Sequence, residues 1–497
     1  MNLEFPILNS KKFFIFELAN NHNGSFEEAK KMVLAAKKIV NHNYLDFAVK
    51  LQYRDLETFI HKNADPKQNK HIKRFIETKL TRDEYKKICS FIKENKFNLV
   101  ITPFDEKSVE YAIDDNVDII KIASCSNTDW PLIEKIASAK KPVICSTGGL
   151  DLDGIDNIYS FFQNRKVPLA LLHCVSIYPT ENLKDFNLNF IKKMIKRYPK
   201  ALIGYSGHEE EKNFIPVLGA AAVGAKIFER HFSISDKKNK YSINDIELKK
   251  LINQLSDLCA ALGSQEKTIS QTEKENLNAL RRGVFAKSEI KKDGKINKDN
   301  FYYAFPKKNI KQIEPGDLSK VDKLEKNLGK DEEVIANLKN SQSNLIRKYV
   351  HRYKHMLYEA GVVVANDSRV ELSHHKGIEN IEKYGALLAT IVNGQYCKKV
   401  IALFPSQFHP KHKHYKKVET FHVLSGTLIV EKDDGKFTLN VGDKLDIFRD
   451  EWHAFTTKTG AIFEEISTEA LKQDSKYFDE EIENSDTIFR KTYIPKF

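Results

Sequence analysis

Two histidines near the middle of the chain are spaced so that they can share a metal ion. His208 follows a short apolar run that ends at Ser206, and His231 ends the next such run, which begins at Ile227. The Ala-rich segment between the runs has the character of a buried helix, as in a strand–helix–strand unit. Because the carboxyl ends of parallel strands meet at one edge of a sheet, we expect the two imidazoles to lie close together there. With Glu229 beside them, they predict a metal or catalytic site, and two unrelated histidines with backbone partners are the alternative.

The same strand–helix alternation runs through the first half of the chain. Strand-like apolar runs occupy residues 13–17, 47–52, 98–102, 119–124, 142–146, 169–174, 202–206 and 227–232. Between them, Ser25 and Thr81 begin segments with the spacing of capping boxes, and a last helix is expected from Glu247 to Leu262. This pattern predicts an α/β fold, a closed (β/α)8 TIM barrel over residues 1–265.

Polar side chains are concentrated at the carboxyl ends of these predicted strands. They are Glu17, Lys50, Gln52, Thr102, Lys121, Ser124, Ser146, His173, Ser176, Tyr178, Ser206, His208, Glu229 and His231. Lys50 and Lys121 lie within otherwise apolar runs, and a buried ammonium group needs an anion beside it. Two lysines among several hydroxyl groups favour the phosphate and carboxylate of a substrate, and a structural pair with a glutamate is the alternative.

The composition excludes several other classes of protein. With 497 residues, 30% of them charged and 41% hydrophobic, the chain is expected to be globular with two or three domains. Its net charge of +12 comes from dispersed lysines without a zinc-finger or RNA-reading motif, so no nucleic-acid partner is expected. The six cysteines have no paired spacing, and no signal peptide or membrane span is recognisable. We therefore expect a cytoplasmic protein without a membrane partner.

The strand-end motifs, taken in order, resemble those of the sialic acid (N-acetylneuraminate) synthase family. They read FELANNHNG, VKLQ, TPFD, IKIAS, CSTGG, HCVSIYP, IGYSGH and FERHF, and the resemblance covers residues 13–320. It implies that the protein condenses phosphoenolpyruvate with an open-chain aldose, a sugar aldehyde, to give a nonulosonic 2-keto-3-deoxy sugar acid and phosphate. It also implies that phosphoenolpyruvate is held by Lys50, Gln52, Thr102, Lys121, Ser124, Ser146 and Ser206.

The resemblance assigns catalysis to a metal and to carboxylates. His208 and His231 are implied to bind a divalent ion, usually manganese, which acts as a Lewis acid on the aldehyde oxygen. Positive charge then develops at the enol carbon of phosphoenolpyruvate. Glu17 and Glu229 are the carboxylates available to stabilise it or to activate the attacking water, and Glu17 is the stronger candidate.

The acceptor side of the predicted site departs from the family pattern. Ser126, Ser176 and Gly207 stand where the family has a glutamate, an asparagine and an aspartate, respectively. The loop after His231 lacks the family's proline-flanked aspartate that anchors the sugar, unless Asp236 takes its place. The residues of this chain that are candidates to bind the sugar are Asn21, Ser126, Ser176 and Tyr178. We therefore expect an acceptor that is either N-acetylmannosamine-like or a differently decorated hexose. A synthase of shorter keto-deoxy acids and a catalytically silent barrel are the alternatives.

Residues 279–321 resemble the small antifreeze-like (SAF) domain that follows the barrel in this family. In relatives this domain reaches over the partner subunit's active site, which implies a homodimer. The family's Arg-Pro step is replaced by Phe305–Pro306, so closure over the acceptor is expected to differ. Residues 322–350, rich in lysine, glutamate and asparagine, are expected to form a linker or a surface helix.

Residues 351–497 predict a separate β domain, because short alternating runs are interrupted by turn signals. The stretches HPKHKHYKKVETFHVLSG and GDKLDIFRDEWH resemble the two cupin motifs. The resemblance predicts a jelly-roll barrel in which a second divalent metal (Zn, Mn, Fe or Ni) is held by His412, His414, Glu419 and His453. A metal-free cupin is the alternative, and the domain either isomerises, epimerises or binds the sugar. His374 and His375 precede the cupin core and either line its mouth or are exposed.

Overall fold

The computed structural model describes residues 11–40, 43–235, 238–293, 296–468, 470–471 and 474–495. The chain divides into two compact units, one up to Lys267 and one from Thr268 onward. Within the described ranges, no helix combines the length and the apolar character that crossing a bilayer requires.

The first unit is a closed barrel of eight parallel strands, as predicted. Each strand pairs with the next one along the chain, and the eighth closes on the first. The strands are β1 Lys12–Glu17, β2 Leu45–Tyr53, β3 Asn98–Pro103, β4 Ile119–Ile122, β5 Val143–Ser146, β6 Leu169–Cys174, β7 Leu202–Gly207 and β8 Ile227–His231. The helices are α1 Phe26–Ile39, α2 Leu56–Phe59, α3 Lys70–Glu77, α4 Arg82–Glu94, α5 Glu106–Asp114, α6 Trp130–Ser138, α7 Leu152–Asn164, α8 Asn189–Arg197, α9 Ile215–Ala222 and α10 Asp245–Leu262.

Local signals account for several of these boundaries. Thr81 and Glu84 form the reciprocal capping box that begins α4, and Ser25 accepts a hydrogen bond from the Glu28 backbone at the start of α1. Strand β4 is shorter than predicted, because the chain turns into a short 3-10 helix at Ser124.

The alternation of side chains along each strand decides which residues face the inside of the barrel. Apolar side chains of the lower layers pack there as one cluster, made of Phe13, Ile15, Ala48, Val100, Ile119, Ile144, Ala170, Leu172 and Ile227. Continuing each strand in steps of two brings polar residues to the carboxyl edge. Thus Phe13 and Ile15 lead to Glu17, and Ile119 leads to Lys121. The intervening residues pack outward against the helices.

The second unit begins with a small β subdomain. It contains α11 Gln271–Ala279 and an antiparallel pair, β9 Gly283–Ala286 with β10 Phe301–Ala304. Leu324, Leu328 and Val334 pack into the same apolar cluster as these strands, and Ile290 pairs with Leu328. The residues after 321 are therefore core of this subdomain and no linker, because their apolar side chains complete a cluster that the short strands cannot bury alone. The expected boundary at 350/351 is also displaced, since it falls inside helix α12, Gln342–Glu359.

Two antiparallel sheets form the rest of the second unit. The seven-stranded sheet has the order β18-β15-β20-β13-β12-β11-β22, and the five-stranded sheet has the order β17-β16-β19-β14-β21. The strands are β11 Arg369–Ser373, β12 Ala386–Asn393, β13 Tyr396–Leu403, β14 Phe408–His414, β15 Glu419–Gly426, β16 Leu428–Lys432, β17 Gly435–Leu439, β18 Lys444–Ile447, β19 His453–Thr456, β20 Ala461–Thr468, β21 Ser475–Tyr477 and β22 Lys491–Ile494, with helices α13 Glu480–Asn484 and α14 Thr487–Arg490. Apolar residues of both sheets, such as Phe421 and Phe455, pack between them, and α12 packs on the seven-stranded sheet through Tyr353 and Leu357.

Candidate functional site

Two lysines and two glutamates form a buried ion cluster at the carboxyl end of the barrel. Lys50 Nζ contacts Glu17 Oε2 and lies 2.8 Å from Glu229 Oε1. Lys121 Nζ lies 3.4 Å from Glu229 Oε2 and donates a hydrogen bond to Ser146 Oγ at 2.7 Å. Opposite charges therefore balance within the cluster. The pairing of the lysines with glutamates, which was the structural alternative to a substrate anion, is present.

The electrostatics of this cluster follow from its burial. Burial alone raises the pKa of Glu229, but Lys121 and Lys50 lower it more, so the carboxyl group stays ionised. Burial lowers the pKa of Lys50 to about 7, against the attraction of Glu229. The charge of Glu229 is thus maintained by the two lysines, and an arriving anion competes with the glutamates for the lysines.

Small donors surround the cluster. Ser206 Oγ donates to Glu229 Oε1 at 3.2 Å, and Thr102 Oγ1 is buried without a hydrogen-bond partner among the described residues. A Cβ on Gly148 would lie 2.2 Å from Ser176 Oγ and 2.6 Å from Ser124 Oγ. The glycine therefore allows both hydroxyl groups to approach the loop after β5, where they lie close to each other.

His208 and His231 come together as predicted. Their ring centroids are 5.3 Å apart, His208 Nδ1 lies 3.2 Å from the Val175 carbonyl oxygen, and His231 Nδ1 has no partner in the described part of the chain. Burial lowers the pKa of His208 to about 4 and that of His231 well below its usual value. Both imidazoles are therefore neutral near pH 7 and each has a nitrogen lone pair to offer, which fits a divalent metal ion.

Two tyrosines flank this histidine pair. The Tyr178 ring lies 4.2 Å from the His208 ring, and the Tyr241 ring lies 5.0 Å from His231 and 5.9 Å from His208. Tyr178 was a predicted sugar contact, whereas Tyr241 was not anticipated. The only signal for Tyr241 in the sequence is an aromatic residue within the short polar loop after β8.

The other predicted residues divide into those near the cluster and those with structural partners. Gln52 donates to Glu17 Oε1 at 3.3 Å, which places it beside the lysines. Asn21 uses its amide nitrogen to bond the Phe232 carbonyl oxygen at 2.9 Å and Ser242 Oγ at 3.2 Å, and so ties two loops together. Ser126 is buried in the turn after β4.

His173, at the end of β6, has a structural partner. His173 contacts the Phe186 carbonyl oxygen at 2.7 Å, as a satisfied core histidine does. Asp236 lies outside the described residues.

Sequence reasoning missed a buried ion pair beneath the histidines. Arg230 Nη1 lies 2.5 Å from Glu209 Oε1, and Tyr205 donates to Glu209 Oε2 at 2.9 Å. A Cβ on Gly207 would lie 2.2 Å from Glu209 Oε2, so this carboxylate occupies the space beside the backbone just before His208. The pair links β7 to β8 and holds the two strands that present the histidines.

A second group of histidines lies between the two sheets of the C-terminal unit. His412, His414 and His453 each offer a nitrogen within 4.8 Å of the others, and all three are buried. Glu419 Oε1 lies 3.4 Å from His414 Nε2, and its Oε2 lies 3.3 Å from His453 Nε2. The four residues predicted to converge therefore do so, with β14 and β19 supplying the imidazoles and β15 the carboxylate.

Lys417 and additional histidines extend this second group beyond the prediction. Lys417 Nζ contacts Glu419 and lies 2.9 Å from Glu465 Oε1. His375 Nε2 lies 3.1 Å from His409 Nε2, and the His409 ring lies 4.7 Å from the His412 ring. His375 and its neighbour His374 are buried, so the expectation that they form an exposed pair is wrong. These two histidines follow β11, which pairs with β22 of the C-terminal segment, and no local sequence pattern predicts that pairing.

The barrel part of the chain is similar in sequence to known proteins. The model of the NeuB family matches residues 43–267. The N-acetylneuraminate-9-phosphate synthase of Drosophila melanogaster is 30% identical over 371 residues, covering 65% of this chain and 95% of that protein. The N,N'-diacetyllegionaminic acid synthase of Legionella pneumophila is 28% identical over 312 residues, covering 59% of this chain and 85% of that protein.

A solved structure extends the likeness to three dimensions. It is described as a spore coat polysaccharide biosynthesis protein E from Chromobacterium violaceum, and it is 37% identical with a TM-score of 0.61. The likeness covers 65% of this chain and 98% of that one. The chain therefore belongs to the NeuB family, and it is an enzyme of the sialic acid synthase type.

Proposed function

We propose that the barrel condenses phosphoenolpyruvate with an open-chain sugar aldehyde to give a nonulosonic acid and phosphate. The observation that carries this proposal is the arrangement of Lys50, Lys121 and the surrounding hydroxyl groups beside two neutral imidazoles. The named synthase relatives support it, because each makes an acid of this class.

The residues divide the work of substrate binding as follows. Lys50 and Lys121 exchange part of their pairing with the glutamates for the phosphate and carboxylate of phosphoenolpyruvate. Thr102, Ser146 and Ser206 supply hydroxyl donors around the same anion, and Gln52 and Ser124 complete its surroundings. The substrate thereby replaces an internal anion at each lysine, so neither ammonium group is left unpaired.

The bond-forming step joins C3 of phosphoenolpyruvate to the aldehyde carbon and leaves an alkoxide, which becomes a hydroxyl group by taking the proton that water releases through Glu17. Water then adds to C2, and Glu17, paired with Lys50, accepts its proton. The tetrahedral centre collapses to a ketone by breaking the bond between C2 and the phosphate oxygen, and the proton of the new C2 hydroxyl group leaves with the phosphate. Glu229 remains ionised between the lysines and stabilises positive charge at C2.

His208 and His231 would hold the divalent metal, for which manganese is the family's usual ion. When bound, the metal supplies Lewis-acid polarisation of the sugar aldehyde. Tyr178 lies against the same rings and, with Ser126 and Ser176, is proposed to meet the acceptor. Asn21, whose amide nitrogen is already engaged, would position the loops around the acceptor.

The experiment is manganese-dependent phosphate release from phosphoenolpyruvate by the full chain, with a panel of N-acetylmannosamine, diacetamido hexoses, unmodified hexoses and pentoses. We expect one hexose-derived sugar to support turnover. Turnover only with pentoses would favour the synthase of shorter acids, and no turnover with any sugar would contradict the proposal.

For the C-terminal sheets we propose a metal-binding cupin that isomerises, epimerises or binds the sugar. The convergence of His412, His414 and His453 with Glu419 supports this second function. Zn, Mn, Fe and Ni all suit three imidazoles and a carboxylate. NMR can follow the interconversion of ketose and aldose forms of the same sugars by the wild type and by His412→Gln, and this comparison tests the proposed metal-dependent role. Unchanged interconversion in the variant would rule out a metal-dependent role.

The small subdomain between barrel and cupin is proposed to be antifreeze-like and to act in a homodimer. Its compact core around β9 and β10 supports the assignment of an independent subdomain. Light scattering after size exclusion should give about twice the chain mass of 57.3 kDa. A monomer at micromolar concentration would exclude a function across subunits.

A further inference from the structure

A cavity of about 530 Å³ opens in the second unit, apart from the three-histidine group. The start of α12, the turn after β11 and the C-terminal segment with α14 line it. Its lining includes His374, His375, Lys376 and Arg490. The volume falls in the range of about 300–1,000 Å³ that small-molecule sites occupy.

Arg490 brings an uncompensated set of donors to this cavity. Its Nε and Nη1 are buried without a hydrogen-bond partner in the described ranges, and its guanidinium lies 5.1 Å from the centre of the Tyr477 ring. Buried polar atoms in folded proteins nearly always have partners. An arginine has donors only, so what it lacks is an acceptor, and an anion supplies the strongest one.

His375, which also lines the cavity, adds a second unpartnered donor or acceptor. Its side chain is buried, and its Nδ1 has no partner among the described residues. The other ring nitrogen is already engaged, since Nε2 lies 3.0 Å from Ser373 Oγ and 3.1 Å from His409 Nε2. Nδ1 is therefore the nitrogen that remains for a ligand.

The acidic residues of the cavity do not neutralise Arg490. Glu481 is 81% exposed and lies 3.1 Å from Lys376 Nζ, which is also 2.9 Å from Asp479. The positive charge of Lys376 is thus satisfied at the rim. Glu379, which also lines the cavity, is exposed.

We propose that this cavity binds the phosphate or carboxylate group of a sugar-sized anion, with Arg490 and His375 as its ligands. The site is separate from the barrel site, and its lining includes none of the three histidines of the second group and not Glu419. It connects to one of them, because His409 lies between His375 and His412. A molecule anchored here would extend toward the three-histidine group.

Isothermal titration calorimetry on the full chain tests this, in a Lys121→Met background that weakens anion binding by the barrel. Glucose 6-phosphate, glucuronate and glucose are the probes, so the phosphate, the carboxylate and the neutral sugar are compared directly. We expect at least one anion to bind ten times more tightly than glucose. Arg490→Gln should abolish that difference, and Arg369→Gln, which removes an exposed charge outside the cavity, should preserve it.

Each outcome bears on the proposal. Preference for glucose 6-phosphate or for glucuronate identifies the anionic group, and equal binding of all three probes overturns the proposal. Binding that is the same in Arg490→Gln overturns it as well. Thermal unfolding checks the fold of that variant, and if it does not fold, His375→Phe takes its place with the same expected loss.

Discussion

At the scale of single residues, the barrel site is governed by charges that are expensive to bury. Lys50 and Lys121 are accommodated because Glu17 and Glu229 pair with them. Removing one partner of such a cluster leaves an uncompensated charge, while an anionic substrate can take the place of a glutamate beside a lysine, so that the ammonium group keeps a counter-charge. The same four residues therefore serve folding in the free protein and binding in the complex.

Lys121→Met should lower kcat/KM for phosphoenolpyruvate about 10- to 100-fold. The variant loses one charged hydrogen bond to the substrate anion, worth about 1.5–3 kcal/mol. Lys50 still faces Glu229, so the cluster keeps a cation. Steady-state phosphate release measures the effect, and Lys135→Met on α6, whose ammonium group pairs with Glu110 of α5 away from the cluster, is the matched control. Equal kcat/KM in both variants would remove Lys121 from the binding site.

His22, in the loop after β1, makes the stability of the fold depend on pH. His22 is buried, and burial lowers its pKa to about 4 from 6.5. The unfolded chain therefore takes up the proton first, and stability is lost as pH falls from about 6.5 toward 4, by up to about 1.4 kcal/mol per pH unit.

We expect His22→Phe to reduce this acid sensitivity. Thermal melts of chelator-treated protein between pH 7 and pH 5 measure it, with exposed His71→Phe as the control. A loss of stability with the same slope in His22→Phe and wild type would show that His22 does not titrate as described.

At the scale of secondary-structure elements, neighbouring strands are joined by side chains as well as by the backbone. Arg230 of β8 is fully buried against Glu209, which directly follows His208 in the segment just after β7. Tyr205 and the Glu209 backbone complete the contacts of this pair. The clamp holds in register the two strands that carry His208 and His231.

Glu209→Gln should destabilise the barrel by about 3–5 kcal/mol, because Arg230 then lacks its counter-charge in the core. Urea unfolding followed by circular dichroism measures the change. Glu134→Gln, whose partner Arg165 is 3.8 Å away at the surface, should cost less than about 1 kcal/mol. Similar losses in both variants would mean that the buried pair contributes nothing beyond a surface pair.

At the scale of the whole molecule, the chain carries one histidine group in each of its two units. The barrel pair comes from β8 and the segment just after β7, and the second group comes from β14 and β19. Their donor sets differ, with two imidazoles in one and three imidazoles beside a carboxylate in the other. The second set has more ligands and is expected to hold its metal more tightly.

Metal analysis should therefore find two divalent ions per chain after reconstitution with excess manganese or zinc. His231→Gln should retain one, in the C-terminal unit, and His412→Gln should retain one, in the barrel. Elemental analysis after gel filtration gives the ratio. A single ion per chain that His231→Gln leaves in place would argue against a barrel metal.

The sequence by itself determined the barrel and most of its polar edge. The apolar runs have the length of strands, and steps of two from Ile15 or Ile119 lead to Glu17 and Lys121, because side chains alternate across a strand. The histidine pair was predictable for the same reason. In the C-terminal unit, the resemblance of two short stretches to cupin motifs predicted that His412, His414, Glu419 and His453 converge, and these four side chains do lie together.

Only the tertiary structure decided which groups neutralise one another. The contacts of Lys50 with Glu229, of Tyr241 with the imidazoles and of Lys417 with Glu465 join residues that are far apart or lack a recognisable spacing. The extension of the small subdomain past residue 321 was likewise hidden, because its lysine-rich surface masks the few apolar residues that complete the core. Local spacing decides which face a side chain takes, whereas its partner depends on how distant elements pack, and that depends on the whole fold.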